Sequence, residues 1–192
     1  GKAVEIQALW YNAVAVAARV EPRWRSLLPR ITRTFAARFW NESSASLADV
    51  IDVDHEYGTR DDTFRPNQIL AVGGVPLPLI HGRRARRIVD SVEAELLTPI
   101  GLRSLTPSEP SYVDRYLGGP AARDAVYHQG TVWPWLLGPF VEAWVATHGN
   151  NDRARLVARQ RFLEPVTAHL RVAGLSHISE IADAATPFTP RG

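Results

Sequence analysis

The sequence of 192 residues contains no cysteine, and Lys2 is its only lysine. Without cysteine, the chain can form no disulfide, no thiolate zinc site and no iron–sulfur cluster of its own. The remaining basic residues are arginines, which alternate with acidic residues to leave a formal net charge of +2. A charge so close to balance gives no reason to expect a nucleic acid as partner.

Long apolar runs are missing as well. The longest uncharged stretches, 68–80 and 127–141, contain prolines and are too short to span a bilayer, so we expect no membrane association. Residues 1–6 lack the apolar centre of a signal peptide, which favours a cytoplasmic protein. The histidines do not lie at the spacing of a metal-binding pair, and we expect neither a metal nor a cofactor.

The composition that remains is that of a packed globular domain, with 45% hydrophobic and 22% charged residues. Apolar residues recur at helical spacing in five segments of the chain. The predicted helices cover about residues 4–20, 24–40, 82–97, 132–145 and 152–170. No linker divides the chain, so residues 1–192 are interpreted as one helical domain.

Two of these helices make specific predictions. In the first, the apolar stripe that includes Leu9 and Trp10 is expected to face the core, while Glu5 and Asn12 lie on a second stripe. In the fourth, Pro139 is expected to kink the helix. Tryptophans two residues apart on that helix would point about 200° apart, so only one of them, Trp133, is expected at a site.

The segments between the helices are long, and such loops are usually functional. Residues 47–53 alternate weakly like a short strand, whereas 98–130 is rich in Pro, Gly and Ser. Aromatic, amide, arginine and carboxylate side chains are concentrated in and beside these loops. A sugar needs that combination, because its C–H face stacks on an aromatic ring while its hydroxyls require paired donors and acceptors.

Four segments, taken in order, resemble a known family. They are residues 1–12 (GKAVEIQALWYN), 65–68 (RPNQ), 97–105 (LTPIGLRSL) and 127–136 (YHQGTVWPWL). The family is that of the glycogen debranching enzymes, and the similarity is to the bacterial and archaeal form of their amylo-α-1,6-glucosidase domain. The resemblance runs through the whole chain.

This resemblance implies an all-α fold, an (α/α)6 toroid of helix pairs, of which the chain is roughly the C-terminal half. It implies inverting hydrolysis of α-1,6-linked glucose at branch stubs, with an α-glucan or oligosaccharide as substrate. Inversion requires a general acid and a general base on opposite faces of the scissile bond. The resemblance assigns the base to Glu180 in the Ser179–Ile181 segment and places the general acid Asp before residue 1, on a missing N-terminal part of the same enzyme.

The residues predicted to contact substrate combine this resemblance with side-chain chemistry. They are Glu5, Asn12, Asp52, Arg65, Asn67, Gln68, Tyr127, His128, Gln129 and Trp133. Ordinary structural roles compete with several of these assignments: Asp52 fits a turn, Asn67 fits a helix cap, and Asp183 is the nearest rival of Glu180 as base.

Three other functions remain open at this point. A trehalase-like or glucoamylase-like glucosidase would use the same fold on a different bond, because fold does not fix function. A carbohydrate-binding fragment without catalysis would also need the aromatic and polar loops, and the missing acid favours it for this chain alone. A helical scaffold for protein partners would not need those loops.

Overall fold

The computed structural model describes residues 1–191, and helices form its framework. Seven α-helices are present in this part of the chain: α1 (Val4–Val20), α2 (Leu28–Phe39), α3 (Gly82–Leu96), α4 (Pro120–Val126), α5 (Leu137–Thr147), α6 (Asp152–Ala158) and α7 (Glu164–His169). None of the helices in residues 1–191 is long and apolar enough to cross a membrane.

Short antiparallel strands join the helices, so the chain is helix-rich and the prediction of a purely all-α fold needs correction. The strands are β1 (Lys2–Ala3), β2 (Trp40–Asn41), β3 (Ser46–Leu47), β4 (Val50–Ile51), β5 (Arg60–Asp61), β6 (Leu97–Thr98), β7 (Gly101–Arg103), β8 (Val132–Trp133), β9 (Ile181–Ala182) and β10 (Pro190–Arg191). They form three sheets, ordered β1-β4-β5, β2-β3 and β10-β9-β8-β7-β6. The strands span only two or three residues, which helical periodicity in the sequence cannot reveal.

The core lies where α3 meets α5. Helix α3 follows the predicted pattern closely: Ile88, Val89, Val92 and Leu96 are fully buried, whereas its arginines point outward. Phe140 of α5 is also fully buried in this cluster. This packing provides the rigid base on which the long loops are placed.

Helix α1 buries the face opposite to the predicted one. Ile6, Leu9 and Trp10 are each about half exposed, at 54%, 48% and 49%, whereas Ala8 and Asn12 are buried. The predicted stripe was therefore wrong as a core face. The buried residues of α1 are Val4, Ala8, Asn12, Val14, Ala15 and Ala18, and the three alanines among them let other segments approach closely.

The predicted fourth helix begins later than expected. Val132–Trp133 is strand β8, a 3-10 turn covers Pro134–Leu136, and α5 starts only at Leu137. Pro139 therefore lies in the first turn of α5, where its missing N–H removes no helical hydrogen bond and no kink is needed. The premise that Trp133 lies on a helix is accordingly wrong.

The second and fifth helices match the prediction with local changes. A 3-10 turn over Pro22–Leu27 precedes α2. A π-helical segment, Arg159–Leu163, lies between α6 and α7. Asn151 caps the N-terminus of α6, because its side chain accepts a hydrogen bond of 2.9 Å from the backbone N–H of Ala154.

Candidate active site

The RPNQ segment begins a 3-10 turn, Pro66–Ala71, and the side chain of Gln68 holds this turn in place. The side chain of Gln68 is buried: its Oε1 accepts from the backbone N–H of Leu47 at 3.1 Å, and its Nε2 donates to the carbonyl of Arg65 at 3.0 Å. Both ends of the amide are thus used within the protein. The structure gives Gln68 a positioning role in place of the predicted sugar contact.

Above this turn lies a cleft of about 510 Å³, called here the Asp49 cleft. Its lining combines carboxyl, amide, guanidinium and aromatic groups from five separate segments of the chain. The lining residues are Glu5, Asp49, Arg65, Pro66, Asn67, Ser104, His128, Trp133, Trp135 and Leu136.

Asp49 is the most perturbed acid of this cleft. Burial raises its pKa to about 6, and the nearby charge of Glu5 adds to the effect, against the lowering influence of Arg65. Its hydrogen bonding is sparse: Asn67 Nδ2 donates to Oδ1 at 3.3 Å, and Arg65 Nε lies 3.8 Å from Oδ2. Glu5, at the start of α1, has a fully buried Oε2 atom without a hydrogen-bond partner.

Arg65 ties the loops of the cleft together. Its Nη1 donates to the carbonyl oxygens of Ser104 and His128 at 3.1 and 2.6 Å, and its Nη2 donates to Gln129 Oε1 at 3.1 Å. The planar guanidinium suits such divergent acceptors. Gln129 is therefore bound to Arg65 through its side-chain oxygen. Three of the residues predicted to contact substrate line the cleft: Arg65, Asn67 and His128.

Tyr127, His128 and Trp133 form a cluster of rings, called here the aromatic wall. His128 stacks on Trp133 with centroids 5.2 Å apart, and Tyr127 meets Trp133 edge-on at 4.7 Å. The Trp133 indole Nε1 also donates to the carbonyl of Tyr127 at 3.2 Å. Because Trp133 lies in a strand and Trp135 in the next turn, both tryptophans line the Asp49 cleft, contrary to the helical prediction.

A second cleft of about 560 Å³, called here the Glu180 cleft, adjoins the aromatic wall. It is lined by Tyr116, Pro120, Ala121, Arg123, Asp124, Tyr127, Glu180 and Ile181. The hydroxyl of Tyr127 donates to Oε1 of Glu180 at 2.8 Å, and this bond raises the pKa of the phenol. Glu180 is otherwise exposed to water. Tyr127 thus touches Glu180 on one side and the rings of the Asp49 cleft on the other.

Asn12 and Asp52, both predicted substrate contacts, lie outside the two clefts. The Asn12 side chain donates to the carbonyls of Ala8 and Leu77 and accepts from the Leu77 N–H, each at 2.9 Å, so it fixes a loop to α1. The structure therefore replaces its predicted sugar contact with a structural role.

Asp52 is saturated by donors from its own chain. Lys2, Arg38 and the backbone N–H of Gly58 all donate to its carboxylate. Hydrogen bonds from Arg38 and Lys2 hold the pKa of Asp52 well below its usual range. No acceptor is left for a sugar hydroxyl, which corrects the prediction.

Asp183, the rival of Glu180, is fully buried and bonded to other residues. Arg191 donates to it at 2.8 Å and the backbone N–H of Tyr116 at 2.9 Å. Burial favours its neutral form, but these donors outweigh burial and lower the pKa of Asp183. A carboxylate so enclosed does not reach water, and Glu180 is the freer of the two.

Asp49, Ser104 and Trp135 were missed by sequence reasoning as members of a site. Asp49 lies three residues before Asp52 in the same segment, and the pattern did not distinguish them. The sequence held one weak signal. The RPNQ segment contains Arg65 and, two residues later, Asn67, whose side chains donate hydrogen bonds and therefore favour an acidic partner. Within residues 1–191, no group of three or more acidic or histidine side chains is arranged to hold a metal ion.

Solved structures with this fold include glycoside hydrolases. A GH63 mannosylglycerate hydrolase from Thermus thermophilus, in complex with glucose, superposes with a TM-score of 0.66 at 18% identity, over 98% of this chain and 43% of that chain. An uncharacterized conserved protein of the same organism gives a TM-score of 0.67 at 18% identity, over 98% of this chain and 42% of that one. Over nearly its whole length, the chain therefore has the fold of these two proteins.

Comparison with known sequences identifies the family of the chain. The family model described as amylo-alpha-1,6-glucosidase matches residues 1–192, and the chain belongs to this family. A stretch of 96 residues is 34% identical to the glycogen debranching enzyme of Saccharomyces cerevisiae, covering 46% of this chain and 6% of that protein. The chain thus spans less than half the length of the solved relatives and a small part of the yeast enzyme.

Proposed function

We propose that this chain contributes the general base and the glucosyl-binding clefts of an inverting α-1,6-glucosidase that acts on branch stubs of a glycogen-type glucan. One observation carries the proposal: Glu180 lies in a cleft, exposed to water, with Tyr127 donating to it and the aromatic wall beside it. A cytoplasmic location follows from such a substrate and is part of the proposal.

Glu180 has the surroundings that a general base requires. Its exposure leaves the carboxylate in reach of a water molecule, whose proton it takes as the oxygen attacks the anomeric carbon. The Tyr127 hydroxyl occupies Oε1 and orients the carboxylate, which leaves Oε2 for the water. The ring of the glucosyl unit lies against the indole of Trp133 in this proposal.

The general acid belongs, in this proposal, to a preceding part of the same enzyme. An inverting pair needs a second carboxyl group about 6.5–9.5 Å from the base. The half-exposed apolar stripe of α1, with Ile6, Leu9 and Trp10, is the surface on which we place that part, as the remainder of an (α/α)6 toroid. We therefore expect this chain alone to bind sugar and to release no glucose.

The test is glucose release from a phosphorylase limit dextrin by the chain extended upstream to include its acid. Glu180→Gln should lower kcat by about 10²–10⁴, the usual contribution of a positioned base. The matched control is Glu56→Gln, which removes another exposed loop carboxylate and should leave release unchanged. Release that survives Glu180→Gln would contradict the assignment, and preference for trehalose over the dextrin would indicate a trehalase-type enzyme.

A further inference from the structure

The Asp49 cleft is poor in hydrogen-bond donors at one end. Glu5 Oε2 is completely buried and has no partner, and the donors nearest Asp49 lie at 3.3 and 3.8 Å. These distances are long for bonds to a carboxylate, which are usually about 2.7–2.9 Å. Asp49 therefore retains unused acceptor capacity inside the cleft, whereas the buried Oε2 atom of Glu5 has no surface that a ligand could reach.

Arg65 provides only a distant charge for that capacity, because its Nε lies 3.8 Å from Asp49 Oδ2. The terminal nitrogens of Arg65 are committed to Ser104, His128 and Gln129. A carboxylate without short hydrogen bonds gains free energy when a ligand supplies a donor. The end of the cleft is thus suited to a ligand that donates hydrogen bonds.

Aromatic side chains also line the cleft. His128 and Trp133 stack with an angle of 7° between their planes, and Trp135 is a further lining residue. A ligand that fits both kinds of lining carries hydroxyl groups on one edge and C–H groups on one face, which is the chemistry of a pyranose.

We propose that Asp49 is a substrate-binding residue: its carboxyl group accepts hydrogen bonds from hydroxyl groups of the glucosyl unit, whose face lies on Trp133. The identity of the sugar rests on the proposed function, but Asp49 binds it whether or not Glu180 acts as a base. Asp49 and Glu5 line the same cleft, and Asp49 defines its hydroxyl edge.

Binding of this kind depends on pH because donors favour the ionised carboxylate. The groups that face Asp49 are Glu5 of α1 and Asp61 of β5, which raise its pKa, and Arg65 and Asn67, which lower it. Affinity should rise with pH through about 6, where Asp49 loses its proton. If binding lowers its pKa by one unit, affinity increases about fivefold between pH 5 and pH 7.

The experiment titrates this chain with methyl α-D-glucopyranoside at several pH values and follows the Trp133 indole N–H signal by NMR. Asp49→Asn should weaken binding at pH 7 by about tenfold or more and abolish the pH dependence, since a hydrogen bond to a charged acceptor is lost. An unchanged affinity and pH profile in Asp49→Asn, or no saturable shift in the wild-type chain, would overturn the proposal.

Adjacent residues provide a matched pair of controls. Asp61→Asn removes a charge that raises the pKa of Asp49, so the midpoint of the binding profile should move to lower pH while the fold is kept. Asp62→Asn changes an exposed carboxylate and should move nothing. If the midpoint of the binding profile does not move in Asp61→Asn, the proposal is contradicted even if Asp49→Asn fails to fold.

Failure of one proposal can be distinguished from failure of the other. If Glu180 is not the base, glucose release persists in Glu180→Gln while sugar binding still depends on Asp49. If Asp49 does not bind the sugar, binding is unchanged in Asp49→Asn while release is still abolished in Glu180→Gln.

Discussion

The two clefts on either side of Tyr127 hold their carboxyl groups in opposite environments. Asp49 is largely buried, has long contacts to its donors and has a pKa of about 6. Glu180 is exposed and accepts one good hydrogen bond of 2.8 Å. Burial with few donors suits a group that waits for the hydroxyls of a ligand, whereas exposure with one orienting donor suits a group that acts on water.

Carboxylates elsewhere in the chain show a third environment. Asp52 and Asp183 are each surrounded by two or more donors from their own chain, and their pKa values are lowered. Such saturation stabilises the fold and leaves nothing for a substrate. The number of donors that the chain supplies therefore separates these two saturated acids from the two acids that are proposed to act on substrate.

The largest expected effect comes from a substitution of Gly130, which follows Tyr127 and His128 of the aromatic wall in the chain. Gly130 has a φ of +137°, and a Cβ there would overlap the carbonyl oxygen of Val113. Gly130→Ala should lower the free energy of unfolding by about 3 kcal/mol and disrupt the aromatic wall, as measured by urea denaturation.

The matched control for that variant is Gly138→Ala in α5, where added side-chain atoms meet open space. Alanine is the better helix former, so this variant should be slightly more stable than the wild type. Equal stability of the two variants would contradict the role given to Gly130.

A second prediction sharpens the contrast between Asp49 and the saturated acids. The folded-state pKa of Asp49, about 6, exceeds its unfolded value of 3.8, so its contribution to stability is fully present below pH 4 and is lost as pH rises through 6. Asp49→Asn removes this cost and should stabilise the chain at pH 7.5 by at most about 3 kcal/mol.

The same variant should show no such gain at pH 4, where Asp49 is protonated in the folded wild-type chain. Thermal denaturation at the two pH values checks this. Asp183→Asn provides the opposite sign, because its pKa is lowered by folding and its loss should destabilise the chain at pH 7.5. If Asp49→Asn destabilises the chain at neutral pH, the description of that cleft is wrong.

The smallest expected effect concerns the single donor to Glu180. Tyr127→Phe keeps the ring and its contact with Trp133 but removes the hydroxyl. Because the bond is exposed, stability should fall by no more than about 0.5 kcal/mol. In the longer enzyme kcat should fall about threefold to tenfold, since Glu180 loses its orientation. A loss as large as that of Glu180→Gln would mean that the hydroxyl itself takes part in the reaction.

Helical periodicity predicted the helices of the framework well, and α3 shows why. Its apolar residues are large and its other face is charged, so one orientation alone is favourable. Helix α1 has apolar residues on both faces, and spacing alone could not decide which face packs. Strands of two residues leave no periodic signal, so the sheets could not be predicted.

Part of the cleft lining was also accessible from the sequence. Side-chain chemistry and the resemblance selected five residues that line one cleft in the structure: Glu5, Arg65, Asn67, His128 and Trp133. They could not show that Asn12, Asp52 and Gln68 have all their polar atoms occupied by the chain, because those partners are up to 65 residues distant in sequence. Asp49 was missed for the same reason, since its sparse and long contacts are visible only in three dimensions.

Helix α1 places Glu5 in a cleft on one face and leaves Ile6, Leu9 and Trp10 in contact with water on the other. Saturation mutagenesis of this helix would therefore give two different maps. Selection for a folded fragment would tolerate polar substitutions along Ile6, Leu9 and Trp10, whereas selection for glucose release by the longer enzyme would penalise them. Comparing the two maps would test, residue by residue, the proposal that a further part of the enzyme packs on this helix.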